Sequence, residues 1–172
     1  MTAAAADVAE HEGRLDVLVN NAAVAGRYAP ADELVGADAA AVYDANVVGI
    51  VRVTHAFLPL LRRSAVPVIV NVSSGMGSFA ATHDPGRIES QVAAPLYASS
   101  KAAVTMLTTQ YAKALPELRI NAVDPGFTAT DFNDHRGTQT LAEGTDAIVA
   151  LATIGPDGPT GTLQNRFGTL AW

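Results

Sequence analysis

The chain has 172 residues, 49% of them hydrophobic and 16% charged, which suffices for one domain with a real core and is too apolar for disorder. Eleven basic residues against 17 acidic ones give a net charge of −6, with no basic cluster longer than Arg62-Arg63, so an electrostatic grip on nucleic acid is excluded. Cysteine is absent, which excludes disulfides and thiolate chemistry, and His11, His55, His83 and His135 are too scattered for a metal site, so no metal is expected.

The first ten residues are Ala-rich but carry Asp7 and Glu10 and no basic flank, unlike a signal peptide, so a cytoplasmic location is the expectation. Val17-Leu18-Val19 reads as a short strand, and Asn20-Asn21-Ala22-Ala23 as the turn after it. Ala37 to Arg63 reads as one long helix with Val42, Val48, Val51, Leu58 and Leu61 facing the core. Its most apolar stretch, Ala45 to Val51, is interrupted by Asn46 or Arg52 before the ~20 residues a membrane helix needs, so no bilayer span is expected. Val66 to Val72 is the second strand, followed by Ser73 to Gly77. A helix from about Leu96 to Leu115 places Val104, Leu107 and Tyr111 at core-facing spacings. Arg119 to Val123 is the third strand, ending at Asp124-Pro125-Gly126. Leu141 to Ala152 is a weaker helix, and a turn cluster at Gly155 to Pro159 leads to a short strand near Gly161 to Leu163. Strands alternating with helices predict a single α/β domain over 1–172, with helices flanking a parallel sheet. Ligands bind such sheets at the carboxyl ends of the strands, so the three post-strand segments are where chemistry should gather.

Tyr97-Ala98-Ser99-Ser100-Lys101 sets a phenol and an ammonium four residues apart, on one face of a helix. A phenol with a pKa of about 10 is poorly matched to neutral pH, and a nearby ammonium favours its ionised form. Val70-Asn71-Val72-Ser73-Ser74 delivers hydroxyls at the end of a buried strand, and Asn46 interrupts a helix in which an amide is a mediocre helix former. These groups compose a relay. Ser74 holds a carbonyl oxygen, Tyr97 exchanges the proton, Lys101 lowers the tyrosine pKa and Asn46 orders a water joining the lysine to solvent.

Asn20-Asn21-Ala22-Ala23, Asn46-Val47-Val48-Gly49, Asn71-Val72-Ser73-Ser74, the Tyr97 to Lys101 segment and Asn121-Ala122-Val123-Asp124-Pro125-Gly126 occur in the order and approximate spacing of the short-chain dehydrogenase/reductase family. The chain resembles that family along nearly its whole length, and Gly158 to Trp172 looks most like the carbonyl-reductase-like branch. The resemblance implies a Rossmann-like fold and hydride transfer between NAD(P)H and a carbonyl, or the reverse from a secondary alcohol, with Tyr97 as general acid or base. It makes Ser74, rather than Ser73, the catalytic serine beside Asn46, Tyr97 and Lys101. Asn20 would brace the first strand and line the ribose side of the cofactor with Ala22, and Lys101 would also bond the nicotinamide ribose. Pro125, Gly126, Phe127, Thr128 and Thr130 would border the carboxamide and phosphates. The cofactor is NADP or NAD, with NADP favoured by the branch, and the partner is a small carbonyl or alcohol substrate.

The family opens with a strand and Thr-Gly-x-x-x-Gly-x-Gly, whose backbone amides receive the pyrophosphate. That segment is not in the sequence, so the domain is expected to be incomplete at its N-terminus and to lack the first three strands. Gly75-Met76-Gly77-Ser78-Phe79-Ala80 matches Gly-x-Gly-x-x-Ala but runs into a loop instead of opening a helix, so it is no dinucleotide fingerprint; its glycines are expected to let the backbone pass close to substrate. Twenty-two residues separate Ser74 from Tyr97, and Ala80 to Ala94 reads as an insertion over the substrate pocket. On assembly the resemblance points two ways. Such an insertion covers a dimerisation face, whereas a raw edge at Val17 to Val19 favours pairing into a homo-oligomer. Two functions follow: an NAD(P)-dependent oxidoreductase, or a truncated, inactive remnant acting as an interaction module.

Overall fold

A computed structural model describes residues 2–172. The elements in chain order are α1 (Thr2–His11), β1 (Val17–Asn20), α2 (Gly36–Tyr43), a π-helical turn (Asp44–Val48), α3 (Gly49–Leu61), β2 (Val68–Val72), α4 (Phe79–His83), α5 (Pro95–Ala114), β3 (Arg119–Val123), α6 (Leu141–Ala152), β4 (Leu163–Asn165) and β5 (Gly168–Thr169). The sheet order is β1-β2-β3-β4-β5. The first four strands are parallel and β5 turns back antiparallel on β4, so the predicted parallel sheet ends in one hairpin. β1 pairs only with β2, which leaves its other edge open among the described residues, with Val19 exposed.

All five residues of β2 are buried because both faces of the sheet are covered. Val68, Val70 and Val72 pack with Val123, Ala147 and Leu151 on the α6 side. Ile69 packs with Leu61, Ala112, Leu118 and Ile120 on the side of α3 and α5. Local chemistry fixes the helix starts. Pro95 opens α5 where its missing N–H costs nothing, and Thr140 and Glu143 cap α6 reciprocally, the Thr140 N–H donating to Glu143 Oε2 at 2.8 Å.

The predicted strand from Val66 begins instead at Val68, after Pro67, which has no N–H to give to a ladder. The terminal strand lies two residues later than predicted, since Gly161 turns the chain at φ +72°. The long helix is present, but it is not continuous α-helix. Its π turn shifts the buried stripe to Val42, Asn46, Ile50, Thr54, Leu60 and Leu61, and leaves Val48 and Val51, expected in the core, 39% and 38% exposed. Residues Gly36–Leu61 are long and apolar enough to cross a bilayer by length and composition, which the sequence reading did not anticipate. Here the segment packs against α5, α1 and β1 and carries Asp38, Asp44 and Arg52.

Candidate active site

The strand period of two decides which serine faces which way. Ile69, Asn71 and Ser73 point to the α5 side, where Asn71 Nδ2 donates to Thr108 Oγ1 at 2.9 Å and Ser73 Oγ donates to the Lys101 carbonyl at 3.0 Å. Ser73 is 1% exposed and structural. Ser74 turns the other way into a cavity of about 900 Å³, which Tyr97 and Lys101 also line. Tyr97 lies 5.9 Å from the Phe132 ring, and the Lys101 ammonium is 5.6 Å from the Tyr97 ring centre. The i to i+4 placement therefore brings phenol and ammonium together beside Ser74, as the spacing predicts.

Their electrostatics differ from expectation. The Tyr97 phenol is pushed up to about 12, chiefly by burial; the neighbouring Ser74 hydroxyl pulls the other way, and the charges of Asp124 and Tyr28 add to the rise. Lys101 does not bring it down. Its own ammonium is desolvated, falls to about 8, and donates to the Val72 carbonyl at 2.8 Å. At neutral pH the phenol is therefore protonated, which suits a proton donor.

Asn46 is 1% exposed, and its amide makes three hydrogen bonds. Its Oδ1 accepts from the Val24 N–H at 2.8 Å, and its Nδ2 donates to the Val24 carbonyl and to Ser100 Oγ. The side chain pins the loop after β1 to α5. Asn20 likewise braces strands, donating to Asn71 Oδ1 at 2.8 Å, and it is Asn21, with Ala22 and Ala23, that meets the cavity wall. Pro125, Gly126, Phe127, Thr128 and Thr130 all line the cavity. Gly126 sits at φ +69°, a left-handed turn that leaves no room for a side chain against Gln139.

Of the glycine pair after Ser74, Gly75 borders the cavity, whereas Gly77 is fixed by packing. A methyl group on Gly77 would lie 2.6 Å from the Lys101 carbonyl carbon, so this glycine lets the turn seat against the α5 backbone. Gly77→Ala is expected to push α5 outward and cost about 1–3 kcal/mol. An unchanged urea midpoint would contradict that packing.

Several wall residues carry no individual motif, although Ile88 and Val92 belong to the insertion expected over the pocket. Tyr28, Met76, Ile88, Val92, Leu96 and Phe132 give the cavity a largely apolar face, and each arrives from a loop or helix end whose path only the fold defines. Among the described residues, no group of three or more His, Cys, Asp or Glu could hold a metal ion.

The short chain dehydrogenase family model matches residues 1–141. The chain is 37% identical to short-chain dehydrogenase anuI of Penicillium roqueforti, over 90% of this chain and 64% of that protein. It is 29% identical to salutaridine reductase of Papaver somniferum, over 94% of this chain and 72% of the reductase. The NADPH-bound carbonyl reductase from chicken fatty liver superposes with a TM-score of 0.85 at 28% identity, covering 99% of this chain and 72% of the reductase. The chain thus spans somewhat under two thirds to about three quarters of these relatives.

Proposed function

The chain belongs to the short-chain dehydrogenase family, and on that premise we propose that it reduces an apolar ketone or aldehyde with a nicotinamide cofactor, preferably NADPH. The observation that carries this reading is Tyr97, protonated at neutral pH, beside Ser74 and Lys101 on the wall of one large, mainly apolar cavity. The residues fit the nicotinamide–ribose end of such a cofactor. The positive-φ turn at Gly126 opens one wall, Thr128 borders it, and Lys101 spends one N–H on Val72 and keeps two for ribose hydroxyls.

When bound, the nicotinamide supplies hydride to the carbonyl carbon. Ser74 holds the carbonyl oxygen, and Tyr97 Oη gives its proton to that oxygen as the C–O double bond becomes an alcohol. The phenolate left behind is reprotonated from solvent. Asn46 positions this machinery by fixing Ser100, one residue before Lys101, to the Val24 loop. Oxidation of the secondary alcohol runs the same steps backwards and gains as pH rises.

A second reading, a protein that keeps this geometry but holds cofactor loosely, is favoured by one observation. Arg27 and Lys101 are the only cations lining the cavity among the described residues, a thin complement for a dinucleotide's phosphates. Titration of the purified chain with NADPH by fluorescence separates the two. We expect a Kd of about 100 µM or weaker for these 172 residues. A low-micromolar Kd would overturn the loose-binding expectation, and failure of any form of the protein to oxidise NADPH with apolar ketones would overturn the reductase reading.

A further inference from the structure

The segment between Ser74 and Tyr97 carries a charged cluster that the proton relay does not use. Arg87 closes a fork on Glu89, with Nη2–Oε1 at 2.6 Å and Nε–Oε2 at 3.2 Å. The pair is largely shielded, its side chains 32% and 13% exposed. Glu89 reaches the strand ends. Its Oε1 occupies the place where a methyl group on Gly75 would stand, and Asp124 Oδ2 lies 3.1 Å from that same point. Asp124 is 6% exposed, accepts the Gly126 N–H at 3.0 Å, and is also held by the Gly75 N–H. Arg87 is thus the cation for two crowded carboxylates, with Asp84 nearby as a third.

Apart from packing of Ile88–Gln91 against α4, the segment makes few ties to the body of the domain. Every hydrogen bond recorded for residues 85–93 stays within 84–93: Arg87 N–H to the Asp84 carbonyl, Gly86 N–H to Asp84 Oδ1, and Ser90 N–H and Oγ to the Arg87 carbonyl. Its large apolar side chains, Ile88 and Val92, are 64% and 49% exposed and face the cavity that holds Tyr97. Ile88 sits between the two members of the ion pair. With Glu89 it also lines a smaller cavity of about 300 Å³ behind the Pro125 turn.

We infer that the Arg87–Glu89 pair is a clasp that seats residues 84–94 on Gly75 and Asp124, so that Arg87 and Glu89 are positioning residues fixing Ile88 and Val92 as the outer wall of the substrate cavity. That this wall meets a carbonyl substrate rests on the function proposed above; the seating itself does not. Gly75 is required because any side chain would displace Glu89. Arg87 is required because without it Glu89 and Asp124 confront each other unneutralised, and repulsion lifts the segment away.

Amide hydrogen exchange on the 172-residue chain tests the seating without any turnover. Arg87→Ala is expected to speed exchange over 86–92 about three- to tenfold, with β2, β3 and α5 unchanged. Glu89→Gln, which keeps shape but loses the charge that orients Arg87 toward Asp124, should give a smaller regional effect of the same sign, since the carboxylate repulsion is lost with it, and serves if the first variant does not fold. Arg87→Lys should restore part of the protection by returning the cation without its fork. Exchange that is unaltered in both charge-removing variants, or raised across the whole chain, overturns the clasp. In a form that turns over ketones, Arg87→Ala should raise KM for a bulky apolar ketone several-fold with little change in kcat. A fall in kcat at constant KM overturns the positioning role.

Discussion

Replacing Tyr97 with Phe is expected to lower kcat for carbonyl reduction by about 10³-fold, within the range that a positioned proton donor contributes, while leaving NADPH affinity within about twofold. The asymmetry follows from the geometry. The ring survives the substitution, so its packing against Phe132 and the Lys101 ammonium over its face are retained. Only the hydroxyl beside Ser74 is lost, and with it the proton that converts a developing alkoxide to alcohol. The measurement is NADPH oxidation with an apolar ketone, alongside a fluorescence titration, in whichever form of the protein is active. Turnover within tenfold of the parent would remove Tyr97 from its assigned role. Because the phenol lies near 12, the reductive direction should show no loss from tyrosine ionisation between pH 6 and 10.

Lys101→Met should abolish activity and yet stabilise the fold. The ammonium falls from an ordinary value of 10.5 to about 8 through burial, a difference corresponding to about 3 kcal/mol. The sign is set by which state binds more protons. Between pH 8 and 10.5 the unfolded chain holds the proton that the folded chain has released, so stability rises with pH across that window. Below pH 8 the full cost is present. Methionine removes that cost but leaves the Val72 carbonyl without its donor, a loss of about 1 kcal/mol. The net expectation is about 1–2 kcal/mol of stabilisation at pH 7, or a Tm increase of about 2–8 °C, shrinking as pH approaches 10.5. Urea unfolding of both proteins at pH 7 and pH 9.5 checks this. A difference that does not change with pH would show that the lysine is not the cause.

Much of the frame was legible because it depends on local chemistry. β1 and β3 are short β-branched runs, α6 spans the residues its pattern predicts, and the Tyr97 to Lys101 spacing puts both groups on one helix face through helical geometry alone. The insertion after Ser74 also proved to line the cavity, as its length and polarity suggested. What the sequence could not show depends on burial and on paths between distant segments. The direction of the Tyr97 shift is decided by desolvation, a property of the assembled pocket, and not by the lysine four residues away. Asn20 reads as a brace from its motif, but only the fold names its partner, Asn71, and only the fold brings Val24 and Ser100 to the Asn46 amide. Arg87, Glu89 and Asp124 are separated by up to 37 residues and share no motif, so only the fold reveals them as a cluster.

The π turn at Asp44–Val48 makes chain length, as well as residue identity, a structural variable in the helix that carries Asn46. A π turn holds one residue more than the α turn it replaces, so α2 and α3 are out of step by about 100° of rotation. Deleting one residue of this turn other than Asn46 would let the segment relax to an unbroken α-helix, bringing the two halves into phase and swinging the Asn46 amide off Val24 and Ser100. Spacings of three and four predict neighbours within α2 and within α3, but they miscount across the junction, which is why Val48 and Val51 read as core and lie at the surface. For this helix, a one-residue shortening should be harder to tolerate than most substitutions along its exposed face.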